Sequence, residues 1–195
     1  MNFLLHKIVK FDSLNLIGVF RSNDGTSFYL LKVRKEKSKL NIIEKFYFSD
    51  IESLKSKMDS KCPSVLLLDG KGILNKKIDF KKESDTEWLK TLDYKAIHFT
   101  SFITQESQFF SFCKAGLLEE TITLFHKNEI QIIDFYIGCL PAVLVNESLD
   151  KGKLLSNETV LEFEHKILVT FFKPDTIRTE NYSLGSDTIS NFELP

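Results

Sequence analysis

The sequence contains little tryptophan, cysteine or proline: one Trp, three Cys and four Pro among 195 residues. An odd number of widely spaced cysteines does not form the disulfide framework of a small secreted protein. The cysteines therefore indicate reduced thiols, as in a cytosolic protein, and they are Cys62, Cys113 and Cys139. The few histidines are dispersed without metal-ligand spacing, so we expect no metal site.

Long apolar runs are also missing. No run approaches the ~20 apolar residues that a membrane-spanning helix requires. The first residues, Met1 to Lys7, have neither the basic lead nor the cleavage site of a secretory signal. The sequence therefore predicts a cytoplasmic protein without direct membrane insertion.

Signatures of catalysis are absent as well. Asp69-Gly70-Lys71-Gly72 is the nearest approach to a phosphate-binding loop, but it lacks the spacing and the hydroxyl residue of a Walker motif. We interpret these glycines as a hairpin turn. No local signature of nucleophilic catalysis places Cys113 beside His98 or His126. We expect no catalytic residues, no cofactor and no enzymatic activity.

The charges that are present are unevenly distributed. Residues 1–95 hold 19 Lys and Arg against 13 Asp and Glu, whereas residues 96–195 hold 7 against 14. Opposite poles can steer a protein partner, although they are also typical of two solvated faces. The basic residues concentrate in one predicted hairpin, where we select Lys35, Lys37 and Lys39 as possible partner-binding residues. No aromatic residues alternate with them as a nucleic-acid site requires, so we predict no nucleic-acid binding.

The pattern of apolar residues predicts an α/β protein with a mixed β-sheet and flanking helices. A strong turn signal at Asn23-Asp24-Gly25-Thr26 separates the first two strands. The predicted strands cover residues 14–20, 27–35, 40–48, 64–68, 73–80, 96–103, 108–114, 130–137, 160–164 and 166–172. The first predicted helix begins at Ser49 or Asp50 and ends near Lys61. The second opens at a capping box from Ser84 to Glu87, and the third covers 117–127.

The predicted elements follow the order of an actin-like or ribonuclease-H-like lobe. That order is three antiparallel strands, a helix, a buried strand and, later, a helix that leads directly into another strand. Three stretches sharpen the resemblance: Leu16-Ile17-Gly18-Val19, the stretch from Val65 to Lys77, and the block from Phe102 to Val145. On these residues the chain resembles the bacterial actin-like assembly proteins of type IV pili and type II secretion, the PilM and GspL kind.

The resemblance implies an actin-like lobe made of residues 1–80 and 129–195, with a small inserted α/β subdomain at 81–128. It also implies a scaffold that binds an inner-membrane assembly protein and is peripheral to that membrane through this partner. We expect this sequence to correspond to the first lobe only, without the second lobe that would complete a nucleotide cleft.

The sequence departs from this family's pattern at the phosphate loop. Active members of the actin superfamily have a carboxylate shortly after the first strand's glycine, and in this chain Phe20 follows Gly18 at that place. A non-enzymatic scaffold is the consistent interpretation. Two alternatives stay open: a nucleotide-binding actin-like switch that uses Asp24-Gly25-Thr26 as its phosphate loop, and an unrelated small α/β interaction module.

Overall fold

The computed structural model describes residues 11–36, 39–141, 151–156, 159–164 and 167–172. The strands are β1 Ser13–Arg21, β2 Thr26–Glu36, β3 Lys39–Phe48, β4 Ser64–Gly70, β5 Leu74–Asp79, β6 Ile97–Ile103, β7 Ser107–Lys114, β8 Ile132–Ile137, β9 Lys151–Ser156, β10 Thr159–Glu164 and β11 Ile167–Phe172. The helices are α1 Ile51–Lys57, α2 Glu83–Lys90 and α3 Ala115–Lys127. Each predicted strand and helix has a counterpart among these elements, and β9 is a strand that the sequence analysis missed.

The chain divides into two compact units. The first comprises residues 1–73 and 113–137, and the second comprises 74–112 and 138–195. The boundaries differ from the predicted division into 1–80 with 129–195 and an inserted 81–128. One part of the difference is α3, because Leu118 and Phe125 of this helix are fully buried in the core of the first unit. The other part is the segment 138–195, which belongs with 74–112 and not with the first unit. The inserted subdomain as such stays a prediction.

A five-stranded mixed sheet forms the first unit, in the order β3-β2-β1-β4-β8. The first three strands pair antiparallel, as the turn signal after β1 predicts, and β1, β4 and β8 run parallel. Six of the seven residues of β4 are buried, as expected of a central strand that is covered on both faces. The predicted fold class, a mixed sheet with flanking helices, is confirmed.

The helices α1 and α3 pack on the same face of this sheet. The alternation of a strand sends Ile17 and Val19 of β1 to that face, where they join Leu54 of α1 and Phe125 of α3 in one core cluster. The Phe28 and Phe125 rings meet edge to face, with 6.1 Å between their centroids. Asp50 begins α1 as predicted, since its carboxylate accepts a hydrogen bond from the Ser53 N–H at 2.7 Å.

Two three-stranded sheets form the second unit, in the orders β5-β7-β6 and β11-β10-β9. Apolar residues of β7, β10 and β11 share a core, in which the Phe109 and Phe171 ring centroids are 5.5 Å apart. A buried polar chain also joins the sheets. The Ser111 hydroxyl donates to Asn75 Oδ1 at 2.6 Å, and Asn75 Nδ2 donates to Thr159 Oγ1 at 3.3 Å.

Three local predictions differ from the structure. The Asp69-to-Gly72 segment does not form a hairpin, because β5 pairs with β7 in the second unit and the chain leaves the first sheet at this point. The capping box is also wrong: α2 begins at Glu83 without a side-chain cap. Asp85 instead accepts a hydrogen bond from the Asp79 N–H at 3.1 Å. The first helix, finally, ends at Lys57 and therefore earlier than predicted.

Candidate functional site

The predicted basic hairpin lies at the far end of β2 and β3. Lys35 is half-buried and stands opposite Leu40, and its N–H donates to the Asp12 carbonyl at 2.8 Å. Lys39 is the first residue of β3 and stands opposite Glu36, whereas Lys37 lies outside the described residues. The β2–β3 pairing thus brings Lys35 and Lys39 to the same end of the sheet. Their role in binding a partner stays a prediction.

The end of β1, where the resemblance implies a phosphate loop, is a tight β-hairpin. The Ser22 N–H donates to the Gly25 carbonyl at 2.8 Å, and the Asp24 N–H donates to the Ser22 hydroxyl at 3.1 Å. Backbone groups that a phosphate loop would direct at a ligand are therefore used inside the turn. Phe20, where the resemblance predicts a carboxylate, is half-buried and stands opposite Ser27.

A carboxylate missed by the sequence analysis lies directly beside Phe20. Asp69, at the end of β4, stands next to Phe20 in the parallel β1–β4 pair and is only 5% exposed. The Gly70 N–H donates to Asp69 Oδ1 at 2.8 Å. Ligands of open α/β sheets bind outside the carboxyl ends of parallel strands, and Asp69 lies at such an end. An Asp-Gly pair that directly follows a buried strand was the available signal.

The second face of the five-stranded sheet carries a row of tyrosines. Strand pairing places Tyr47, Tyr29, Gly18, Leu67 and Tyr136 side by side across all five strands. We call these five residues the tyrosine row. The Tyr29 and Tyr47 rings are 5.0 Å apart, and a Cβ at Gly18 would lie 3.4 Å from that of Tyr29. The glycine therefore gives room for an aromatic ring to lie across β1.

The tyrosine row has perturbed hydroxyl groups. Burial and then the neighbouring Asp134 carboxylate raise the pKa of Tyr136 well above its usual value, and the Tyr136 hydroxyl donates to Asp134 Oδ2 at 3.2 Å. Burial is also the main cause that raises the pKa of Tyr29, and Tyr47 adds to it. Aromatic residues with a polar group are common in protein interfaces. The row is a surface that the sequence analysis did not identify.

Tyr136 makes the stability of the chain sensitive to alkali. A raised pKa in the folded state means that the folded protein holds the phenol proton more tightly than the unfolded chain. This contribution is fully present below about pH 10, the ordinary tyrosine pKa, and is lost as the pH rises through the folded-state pKa. We expect Tyr136→Phe to reduce the fall in the unfolding free energy above about pH 10, measured by urea denaturation across pH.

Tyr94→Phe is the matched control, because Tyr94 is half exposed and lies outside the tyrosine row. The same alkaline loss of stability in wild type and Tyr136→Phe would contradict the assignment.

Searches for metal and membrane features give two findings. Among the residues that the structure describes, no three His, Cys, Asp or Glu side chains lie together as metal ligands would. No helix within the described ranges has the length and apolar character needed to cross a membrane.

No protein-family profile and no curated protein matches the sequence. Solved structures do match. The cytoplasmic domain of EpsL, an inner membrane component of the type II secretion system of Vibrio cholerae, is 12% identical, with a TM-score of 0.52, and the match covers 82% of this chain and 71% of that domain. A chain of the PilM–PilN type IV pilus biogenesis complex is 8% identical, with a TM-score of 0.56, and the match covers 82% of this chain and 60% of that chain.

The chain has an actin-like fold. The predicted resemblance to the PilM and GspL kind is thereby confirmed at the level of the fold. A Bacteroides thetaiotaomicron protein with an actin-like ATPase fold and unknown function also matches at 11% identity, covering 85% of this chain and 72% of that one. Its TM-score of 0.43 is too low to support an inference.

Proposed function

We propose that the chain is a non-enzymatic scaffold that binds a membrane-anchored protein partner at the cytoplasmic face of an inner membrane. The observation that carries the proposal is its shared fold with components of two assembly systems, the EpsL cytoplasmic domain and the PilM–PilN complex. A fold alone does not determine function, so the proposal also depends on the residues at the end of β1.

The end of β1 supports a protein without nucleotide chemistry. Phe20 stands where the resemblance predicts a carboxylate, and its ring is an apolar group that neither coordinates a metal ion nor binds phosphate. The following turn uses the Ser22 and Asp24 N–H groups within itself. The chain therefore keeps the fold but lacks two parts of a phosphate site. These are the carboxylate after Gly18 and the N–H groups that would point at a phosphate.

Mg-ATP is therefore expected not to bind. Titration calorimetry of the full chain with Mg-ATP should give no heat of binding, and thermal melts with and without nucleotide should coincide. Any ligand that binds only the folded state raises the melting temperature by mass action, so the two methods check each other. Heat together with a raised melting temperature would contradict the proposal.

Asp69 favours a second candidate, a nucleotide-binding switch. Its carboxylate lies at the carboxyl ends of β1 and β4, beside the place that Phe20 occupies. A carboxylate one strand away could bind a metal–phosphate group in place of the missing one. If Mg-ATP does bind, loss of this binding in Asp69→Asn, with the melt of the free protein retained, would support the switch.

The basic end of β2 and β3 is our proposed contact for an acidic partner. Lys35, Lys37 and Lys39 concentrate positive charge in this part of the sequence, and complementary charges speed the association of two proteins. The triple variant Lys35→Glu, Lys37→Glu, Lys39→Glu should bind a fluorescent peptide of Glu and Asp at least about tenfold more weakly and keep its thermal melt. Fluorescence anisotropy at low and high salt measures the difference.

A charge-matched control variant separates this site from the overall charge. The exposed Lys61, Lys90 and Lys95 lie elsewhere on the chain, and their change to Glu alters the net charge equally. Binding that weakens equally in both triple variants would show a general charge effect and would contradict a site at the hairpin.

A further inference from the structure

Strand edges in this protein differ in how they are protected against pairing with another chain. An exposed edge is normally blocked by charged residues, proline or a bulge. Four edges carry charged residues, namely β3, β5, β8 and β9. The edge of β11 is contacted instead by Lys77, whose ammonium donates to the Val169 carbonyl at 2.7 Å. Among the described edges β6 stands apart, because its sequence Ile97–Ile103 contains neither proline nor Lys, Arg, Asp or Glu.

The outer side of β6 presents both backbone groups and apolar side chains. The Thr104 N–H donates to the Ser107 carbonyl at 2.8 Å, and in an antiparallel pair this directs the backbone of every second residue, including Phe102 and Thr100, toward β7. The N–H and C=O groups of the odd-numbered residues then point away from β7. Their side chains share one face, on which Phe99 is 40% and Ile103 is 63% exposed.

Phe99 is held in place on this face. Its ring centroid is 5.4 Å from that of Phe110 and 5.7 Å from that of Tyr94. Phe102 points to the opposite face and packs against the core of the second unit. One face of the strand is therefore fixed in the core, while Phe99 and Ile103 on the other face stay partly exposed. Unblocked backbone groups beside apolar side chains allow another strand to pair with this edge.

We propose that β6 is a docking edge for a second copy of this chain, which adds its own β6 antiparallel to form one continuous sheet. A two-fold interface requires a patch that is complementary to itself. With the axis at Thr100, Ile97 stands opposite Ile103 of the partner subunit and Phe99 stands opposite Ser101 of the partner subunit. Two β-branched residues and a large residue beside a small one are favourable cross-strand pairs. The inference goes beyond the proposed scaffold function and does not depend on it.

The predicted association is weak. Two short strand edges bury less surface than the about 1,600 Å² of a standard stable interface. Sedimentation velocity of the full chain over about a hundredfold range of concentration should therefore show a monomer–dimer equilibrium. Ile103→Lys places a charge in the apolar pair, and Ser101→Pro removes an N–H that points outward. Each should shift the dissociation constant at least about tenfold toward monomer.

The control for these variants is Leu124→Lys, since Leu124 is partly exposed on α3 and is not part of β6. It should leave the dimer unchanged, and circular dichroism should show all three variants folded. A wild-type chain that stays monomeric at the highest concentration overturns the proposal. So does a dimer that persists in folded Ile103→Lys and Ser101→Pro.

Cysteine cross-linking tests the register independently. At the axis, the two Thr100 Cα atoms would be about 4.5 Å apart, as in other non-hydrogen-bonded antiparallel pairs, which is within disulfide range. In a Cys62→Ser background, Thr100→Cys should form an oxidised dimer. His98→Cys should not form one. The two copies of position 98 lie four residues apart along the paired strands, so roughly 14 Å separate their Cα atoms. Cross-linking of His98→Cys and not of Thr100→Cys overturns the proposed register.

Discussion

Replacing Gly70 by alanine is expected to destabilise the protein by about 3–5 kcal/mol. Gly70 has a φ of +95°, and a Cβ there would lie 2.1 Å from the Arg21 carbonyl oxygen. That oxygen is itself fixed, because it accepts a hydrogen bond from the Lys71 N–H at 2.7 Å. The variant therefore combines backbone strain of about 1–3 kcal/mol with a clash that only movement of β1 relieves. Urea denaturation followed by circular dichroism measures the loss.

Gly116→Ala is the matched control. Gly116 lies in the first turn of α3, and a Cβ there would meet no atom within 4 Å. Alanine in a helix is favoured over glycine by roughly 0.5–1 kcal/mol, so this variant should be slightly more stable than wild type. A Gly70→Ala protein as stable as Gly116→Ala would mean that the chain does not pass from β4 to β5 as described.

Gly70 also shows where prediction from the sequence ends. The glycines at positions 70 and 72 correctly predict a sharp turn after β4, because both adopt positive φ angles. A turn signal, however, does not determine which strand the following segment pairs with. The hairpin prediction fails since β5 pairs with β7, which is more than 25 residues away in the sequence. Pairing between distant strands is decided by tertiary packing.

Local patterns did identify the three antiparallel strands. The turn from Asn23 to Thr26 determines how β1 meets β2, and their register follows from the short loop. Asp50 likewise marks the start of α1 because a cap acts on the N–H groups next to it. Basic residues of the β2–β3 hairpin were equally visible, because they are neighbours in sequence. Elements that depend on residues within about one turn of each other are therefore predictable.

The tyrosine row was not visible in the sequence. Tyr29, Tyr47 and Tyr136 lie on three different strands, and only the register of the folded sheet places them in line. In the sequence, Gly18 attracted attention only as the glycine of the first strand in the actin-like resemblance. A glycine inside a strand often marks a close approach of another group, and here that group is the Tyr29 ring. Asp69 was missed for the same reason, since its position beside Phe20 exists only once β4 pairs with β1.

Phe125→Ala is expected to have the other large effect, a loss of about 3–5 kcal/mol in the free energy of unfolding. Its side chain is fully buried and meets the Phe28 ring edge to face. Alanine leaves a cavity between α3 and the sheet, and the buried strands around it limit collapse. The adjacent Leu124 is 39% exposed, so Leu124→Ala should cost less than about 1 kcal/mol.

The comparison of these neighbours tests the assignment of α3 to the first unit. Both substitutions give alanine at consecutive positions of one helix, so helix propensity changes little in either case. A large difference in urea midpoint at equal slope then reports burial of the Phe125 face against the sheet. Equal, small losses would mean that α3 does not pack there, and the predicted inserted subdomain at 81–128, which contains this helix, would be the better description.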